Sequence, residues 1–273
     1  MVEVIICTMA KTSINSKIFE GTLVIMKKFK ISIKPLKKSF KSSVIIVLGI
    51  LLSMSLYACD KNGAKETVKM TQADNIVIDH GSREKKVVAL TFDDGPHPKE
   101  TDQVLDVLKE NDIKGTFFIA GKHAEWYKKP LIRASKEGHE IGNHTFNHHD
   151  ISTLSSEQLE EEILKCEEAI KSVTGKKTKL FRPPFGSYRK NNLLEIAEKN
   201  GYKIVLWTGF DAKDWKNPSA EDIADNIYKN VKNGDIILLH DYGTPNTVEA
   251  LKIIIPKMKK DGYRFTTVSE LIK

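Results

Sequence analysis

The chain has 273 residues, of which 40% are hydrophobic and 29% are charged, and its formal net charge is +7. The excess lies at the N-terminus, because residues 1–58 contain nine lysines and two acidic residues, whereas the remaining chain has 34 basic and 34 acidic residues. A main part without net charge argues against nucleic-acid binding, which depends on neutralising phosphates with Lys and Arg. Of the three cysteines only Cys166 lies beyond residue 59, which argues against a disulfide framework in that part.

Residues 27–58 have the layout of a bacterial export signal. The segment KKFKISIKPLKKSFK is basic, and the apolar run VIIVLGILLSMSLYA is uncharged and shorter than the roughly 20 residues of a membrane span. The run ends in LYAC, Leu56–Cys59, which resembles the lipobox of bacterial lipoproteins. We predict that residues 1–58 are an N-terminal extension plus a leader and that Cys59 carries a lipid. An uncleaved signal anchor is the alternative, and both place the rest of the chain outside the membrane.

The main part of the chain alternates strand and helix patterns. Residues 59–84 are predicted to be a flexible tether, because they are polar, mixed in charge and poor in large apolar residues. From Lys85 onward seven segments have strand character: VVALTF, GTFFIA, HEIGNH, KLFRPP, KIVLWTG, DIILLH and RFTTV. Helices are predicted between them, among them Thr101–Asn111 and Ser155–Val173. The alternation predicts one α/β domain over residues 85–273 with a parallel sheet, either open or closed into a barrel.

Residues suited to chemistry follow the predicted strands directly. They are Asp93 and Asp94, His144, Arg182, Asp211 and Asp214, and His240. In parallel α/β folds the carboxyl ends of the strands meet at one edge, where active sites are built. We therefore expect these side chains to converge. Trp207 lies inside a predicted strand, and we expect it to be a core aromatic residue.

The segment GNHTFNHHD suggests two metal ligands. His144 and His148 are four residues apart, so one helical turn would place both imidazoles on the same side. Two histidines and one carboxylate form a metal site with open positions for water and substrate, although a histidine pair alone is more often part of a solvated turn. A cation on Asp94 would offset its repulsion with Asp93 and leave Asp93 to act as a general base.

Five segments in order resemble the motifs of polysaccharide deacetylases, carbohydrate esterase family four: TFDDG, HTFNH, RPPFG, DAKDW and LLHD. The resemblance extends from Lys85 to the C-terminus. It implies a distorted (β/α) barrel of about seven units that removes N-acetyl or O-acetyl groups from polysaccharides with a divalent metal. Zinc is the metal expected first, and Co²⁺ or Ni²⁺ would suit the same ligands.

Carried over residue by residue, the resemblance implies a metal centre and an acid–base pair. Three residues of the first two motifs would be the metal ligands: Asp94, His144 and His148. Asp93 would be the general base that takes a proton from water, and His240 of LLHD would be the general acid that protonates the departing nitrogen.

The other motif residues are implied to support this chemistry. Arg182 of RPPFG would hold Asp93, and the backbone N–H of Phe185 would donate to the oxyanion. Trp215 and Leu238 would line the pocket for the acetyl group.

The fourth motif departs from the family pattern. The segment WTGFDAKDW has one residue more than the pattern between Trp207 and Asp214. Asp214 is implied to orient His240, but Asp211 then competes for that role.

The implied substrate is an N-acetylated cell-wall glycan, and peptidoglycan is favoured because the anchor places the enzyme against the wall. Chitin oligomers, acetylated xylan or an exopolysaccharide remain open as targets. A non-catalytic wall-binding module is the alternative of another class, but such a module would need neither the base Asp93 nor the acid His240. No nucleic acid and no protein partner are expected. The Lys- and Ile-rich leader resembles those of Gram-positive bacteria.

Overall fold

The computed structural model describes residues 76–273. The predicted leader, the lipidation site Cys59 and most of the predicted tether lie outside the described residues, so these assignments stay predictions. Within the described part, no helix is both long enough and apolar enough to cross a membrane.

The sheet contains eight strands that pair in parallel throughout. They are β1 (Val77–Ile78), β2 (Val87–Asp93), β3 (Thr116–Ile119), β4 (Glu140–Asn143), β5 (Leu180–Phe181), β6 (Lys203–Val205), β7 (Ile236–His240) and β8 (Arg264–Thr266). Their order is β1-β6-β5-β4-β3-β2-β7, and β8 pairs with the first half of β2. Six of the seven residues of β2 are buried, as expected for the central strand of a parallel sheet.

Helices cover the sheet and connect its strands. They are α1 (Glu100–Glu110), α2 (Gly121–Trp126), α3 (Lys128–Lys136), α4 (Ser156–Thr174), α5 (Leu193–Lys199), α6 (Ala220–Asn230), α7 (Pro245–Lys260) and α8 (Val268–Leu271). The long helix α4 begins with a capping box between Ser155 and Gln158 and ends at Gly175, whose φ of 72° is the left-handed conformation that glycine adopts without strain.

The predicted α/β fold with a parallel sheet is confirmed, and its barrel stays open. The edge strands are β1 and β7, and among the described residues no continuous ladder joins them, only an isolated antiparallel bridge between His80 and Asp235. In addition, the Thr208 N–H donates to the Ile236 carbonyl at 3.1 Å, and the Ile236 N–H donates to the Thr208 hydroxyl at 2.9 Å. The sheet therefore curves as in a distorted barrel and is held across its gap by single hydrogen bonds.

The ordered domain begins earlier than the predicted boundary at residue 85. Val77 and Ile78, assigned to the tether, pair with Ile204 and Val205 of β6. Arg83 forms an ion pair with the buried carboxylate of Asp235. Three apolar residues, Ile76 to Ile78, in a polar segment are too short a run to indicate a strand, and only pairing with β6 defines one.

The core lies on both sides of the sheet. On one side Phe92 of β2 stacks on Phe117 of β3 with ring centroids 4.9 Å apart. The apolar positions of α4 face inward as the sequence pattern predicts, and they are completely buried: Leu159, Ile163, Cys166 and Ile170. Burial of each such side chain contributes about 1.5–3 kcal/mol to stability, which fixes the strands whose ends carry the site.

Candidate active site

The carboxyl ends of four strands bring the predicted polar residues to one cleft. Asp93 ends β2, His144 follows β4, Arg182 follows β5 and His240 ends β7. The cleft has a volume of about 370 Å³. It is lined by Asp93, Asp94, His144, His148, Phe185, Trp207, Asp211, Trp215, Leu238 and His240.

Asp94 and two histidines form a compact group on one side of the cleft. The Oδ1 atom of Asp94 lies 3.1 Å from Nε2 of His148 and 3.5 Å from Nε2 of His144. One ligand atom from each of the three residues lies within 4.8 Å of the other two. These distances suit three side chains that point at one ion.

The two histidines are not on a helical turn, which corrects the expectation from their spacing. Residues 144–148 form a loop in which Thr145 and His148 have positive φ angles of 66° and 60°. The loop is closed by its own side chains, because the Asn143 amide oxygen accepts the Thr145 N–H and the Thr145 hydroxyl accepts the His148 N–H. This folding, and not helical periodicity, brings the imidazole rings to 4.9 Å.

The chemistry of these donors fits a divalent cation. The Oδ1 atom of Asp94 is buried and has no hydrogen-bond partner, a costly arrangement unless an ion satisfies it. The Nδ1 atom of His144 lies 2.7 Å from the carbonyl oxygen of Arg182, which can only accept, so Nδ1 carries the proton. Nε2 of His144 is therefore left with a lone pair towards the site, as a metal ligand requires.

The same three residues polarise one another electrostatically. Burial would raise the pKa of Asp94, but the imidazoles of His144 and His148 hold it far below its ordinary value. Burial would lower the pKa of His144, but the carboxylates of Asp93 and Asp94 raise it. A cation that binds here displaces protons from the imidazoles and takes over this charge compensation.

Arg182 holds the other aspartate. Its guanidinium is completely buried and donates to Oδ1 of Asp93 at 2.7 Å and to the Thr91 hydroxyl at 2.8 Å. The guanidinium also lies 4.1 Å above the ring of Phe118. Burial lowers the pKa of Arg182, and the carboxylate of Asp93 opposes that effect. Asp93 is thus fixed in place, with Oδ2 3.7 Å from Nε2 of His144.

His240 is paired with Asp214 and lies next to Asp93, its partner in register across β2 and β7. Oδ1 of Asp214 lies 2.8 Å from Nδ1 of His240, and Oδ2 accepts the His240 N–H at 2.7 Å. Burial alone would lower the pKa of His240, but the hydrogen bond and charge of Asp214, with the charges of Asp93 and Asp94, raise it to about 9. The imidazole is therefore protonated at neutral pH and can donate a proton from Nε2.

Asp214 contacts His240, and Asp211 contacts other residues. Asp211 accepts the indole N–H of Trp215 at 3.0 Å and the backbone N–H of Lys213 at 2.7 Å. It thus orients Trp215, which is 51% exposed at the mouth of the cleft.

The remaining predicted residues also line the cleft. Phe185 is 67% exposed, has a φ of 58°, and places its ring 5.1 Å from that of His148. Leu238 is buried in the wall of the cleft. Trp207 also lines it and packs against Gly186, where a Cβ atom would come within 2.8 Å of the indole. The expectation that Trp207 is a core residue is wrong, because β6 ends at Val205 and leaves Trp207 in the segment beyond the strand.

Two residues beside the site were not singled out from the sequence. Nδ1 of His123 lies 2.6 Å from the backbone oxygen of Asp94, and burial lowers the pKa of His123. Asp241 is buried against Gly95, and burial, with the charges of Asp94 and Asp93, raises the pKa of Asp241 to about 7. Both lie in segments that follow strands at the edge of the sheet that carries the site. This position is the feature of the sequence that could have indicated them.

The fold and the site together fit a hydrolase class, because a possible Asp–His–His metal site lies beside Asp93, held by Arg182, and His240, held by Asp214. The family model for polysaccharide deacetylases matches residues 80–205. A peptidoglycan-N-acetylglucosamine deacetylase of Bacillus cereus is 45% identical over 192 residues, which is 69% of this chain and 89% of that protein. The chain therefore belongs to the polysaccharide deacetylase family, as the motifs implied, and is a deacetylase.

Further relatives agree with this assignment. A peptidoglycan-N-acetylmuramic acid deacetylase of Bacillus subtilis is 35% identical over 218 residues, which is 78% of this chain and 45% of that protein. The crystal structure of a peptidoglycan N-acetylglucosamine deacetylase superposes with a TM-score of 0.69 and 37% identity, covering 72% of this chain and 92% of that chain.

Proposed function

We propose that this protein hydrolyses the acetamido group of N-acetylglucosamine residues in peptidoglycan. The observation that carries the proposal is that Asp93 and His240, paired in register at the ends of the neighbouring strands β2 and β7, line one cleft, each held by a charged partner, with Asp94, His144 and His148 beside them. Amide hydrolysis needs a base for water and an acid for the leaving amine, and this arrangement supplies both.

Each residue has one task in the reaction. Asp93, held in position by Arg182, takes a proton from the attacking water. His240, held as an imidazolium by Asp214, gives a proton to the nitrogen as the C–N bond breaks, so that acetate and a free amine leave. Phe185 lines the cleft, and its backbone N–H would stabilise the developing oxyanion.

Asp94, His144 and His148 would hold a divalent cation, and we propose Zn²⁺, which prefers imidazole and carboxylate ligands with open positions. When bound, the cation supplies Lewis acidity that polarises the carbonyl group and lowers the pKa of water. Co²⁺ and Ni²⁺ suit the same donors.

The choice of sugar rests on the relatives. The Bacillus cereus protein is named for N-acetylglucosamine and the more distant Bacillus subtilis protein for N-acetylmuramic acid. The higher identity of the first, and the larger share of its own length that is matched, favour N-acetylglucosamine.

We further propose that Cys59 is lipidated and holds the domain at the outer face of the membrane, next to the wall. The basic and apolar segments before LYAC support this proposal. The mass of the protein extracted from membranes tests it. A mass that begins at Cys59 with an added lipid is expected, and an intact leader would indicate a signal anchor.

The function is tested by acetate release from purified peptidoglycan, followed by mass analysis of the sugars. The metal-loaded protein is expected to convert N-acetylglucosamine into glucosamine, and His240→Ala is expected to abolish this. Preferred turnover of chitin oligomers or acetylated xylan would redirect the substrate assignment. Tight glycan binding without acetate release at any added metal would favour a wall-binding module instead.

A further inference from the structure

A group of ring side chains beside the cleft has no task in the hydrolysis described above. We call it the aromatic platform, and it consists of His97, His123, Trp126, Tyr127 and Tyr242. These residues come from segments that follow β2, β3 and β7, so they share the edge of the sheet that carries the catalytic residues.

The rings are held by contacts with one another. His123 and Tyr242 are stacked in parallel with centroids 4.1 Å apart, and His97 meets Tyr242 edge-on at 5.1 Å. Trp126 lies 5.5 Å from His123 and 6.2 Å from Tyr127. Stacked and edge-on contacts of this kind fix ring orientation, so the platform presents a preformed surface.

The platform is joined to the catalytic residues. Nδ1 of His123 lies 2.6 Å from the backbone oxygen of Asp94, and Tyr242 is two residues beyond His240. Trp126 contacts the ring of His123, which in turn contacts the backbone of Asp94. The platform therefore adjoins the cleft through His123 and Tyr242 and does not itself line it.

The outermost ring is free to meet a ligand. The side chain of Trp126 is 61% exposed, a degree of exposure it shares with Phe185 and Trp215 of the cleft. Exposed aromatic side chains beside a cleft are typical of binding surfaces. The exposed neighbours Glu125 and Lys128 carry opposite charges, so the surface suits the apolar C–H face of an uncharged sugar ring better than an ionic group.

We propose that the aromatic platform binds sugar units of the glycan strand adjacent to the unit that loses its acetyl group, and that it gives the enzyme a preference for long chains. The proposal rests on the proposed function, because the adjacent units belong to the substrate of the cleft. The platform supplies binding energy outside the reacting centre, and its loss should weaken the binding of long substrates selectively.

The test compares N-acetylglucosamine oligomers of two and six units on the full-length, metal-loaded protein. Trp126→Ala is expected to raise KM for the hexamer about fivefold, the factor that one aromatic stacking contact of ordinary strength provides, and to leave KM for the dimer unchanged. Calorimetric Kd values for the hexamer should rise by the same factor. Trp126→Phe should retain most of the affinity.

Ile253→Ala is the matched control, because Ile253 is also an exposed large apolar side chain, at 39%, but lies on α7 outside the platform. This variant should leave both KM values unchanged. Equal KM values for the hexamer in Trp126→Ala and wild type would overturn the proposal, as would an equal effect on dimer and hexamer. Failure of the proposed function would look different, since the wild type would then release no acetate from any oligomer.

Discussion

Asp214 controls the proton on His240 through two of its contacts, one to the ring and one to the backbone N–H. Its Oδ2 atom also accepts the Thr247 hydroxyl at 2.8 Å, so the carboxylate cannot turn away. The geometry keeps the imidazole in one orientation. The hydrogen bond and charge of Asp214, with the charges of Asp93 and Asp94, raise the pKa of His240 to about 9 against the effect of burial.

Asp214→Asn should move the alkaline limb of the pH profile of kcat to lower pH. The general acid must be protonated, so activity falls as the pH rises through its pKa. Loss of the carboxylate charge lowers that pKa, by about 1–3 units for a close ion pair. The measurement is kcat for acetate release across the pH range, with Asp211→Asn as the control that leaves His240 and its partner intact. An alkaline limb unmoved by Asp214→Asn would contradict this role.

Individual residue assignments depended on motif order more than on local pattern. The sequence predicted which polar residues lie at strand ends, since an apolar run followed by a charged residue indicates the end of a buried strand. The choice between Asp211 and Asp214 was not readable, because it depends on the path of an irregular segment. The positive φ angles of Thr145 and His148 were also invisible, since neither residue type signals the left-handed region.

At the scale of elements, regular segments were predicted and short ones were missed. Helix α4 has a strong apolar stripe, a capping box and a terminal glycine, and it forms within one residue of its predicted bounds. Strand β1 has two residues and no periodicity, so only its partner β6 defines it. The end of β6 at Val205 is likewise not indicated by the run KIVLWTG.

Ser155→Ala should lower the free energy of unfolding by about 1 kcal/mol, because the Gln158 N–H loses its acceptor at the start of α4. Denaturant titration measures this effect. Ser172→Ala is the control within the same helix, because its hydroxyl only returns to the Ala169 carbonyl and alanine favours helix. Equal stability of Ser155→Ala and wild type would show that packing of α4 outweighs its cap.

At the scale of the whole molecule, the parallel arrangement explains why distant motifs make one site. Asp94, His144 and His240 are far apart in sequence, but each follows or ends a strand of the same sheet, so their side chains meet at one edge. The segment that carries Trp207 and Asp211 follows β6 and also lines the cleft.

The central claim is that Asp94, His144 and His148 bind one divalent cation while Asp93 stays free as the base. Zinc bound per chain, measured by elemental analysis after chelation and reloading of the full-length protein, tests it most directly when acetate release is followed in parallel. We expect one zinc ion per chain in wild type and in His149→Ala, which removes an exposed neighbouring imidazole, and loss of both zinc and activity in His148→Ala. Retention of a full equivalent of zinc by His148→Ala, or undiminished acetate release from the chelated wild type, would contradict the claim.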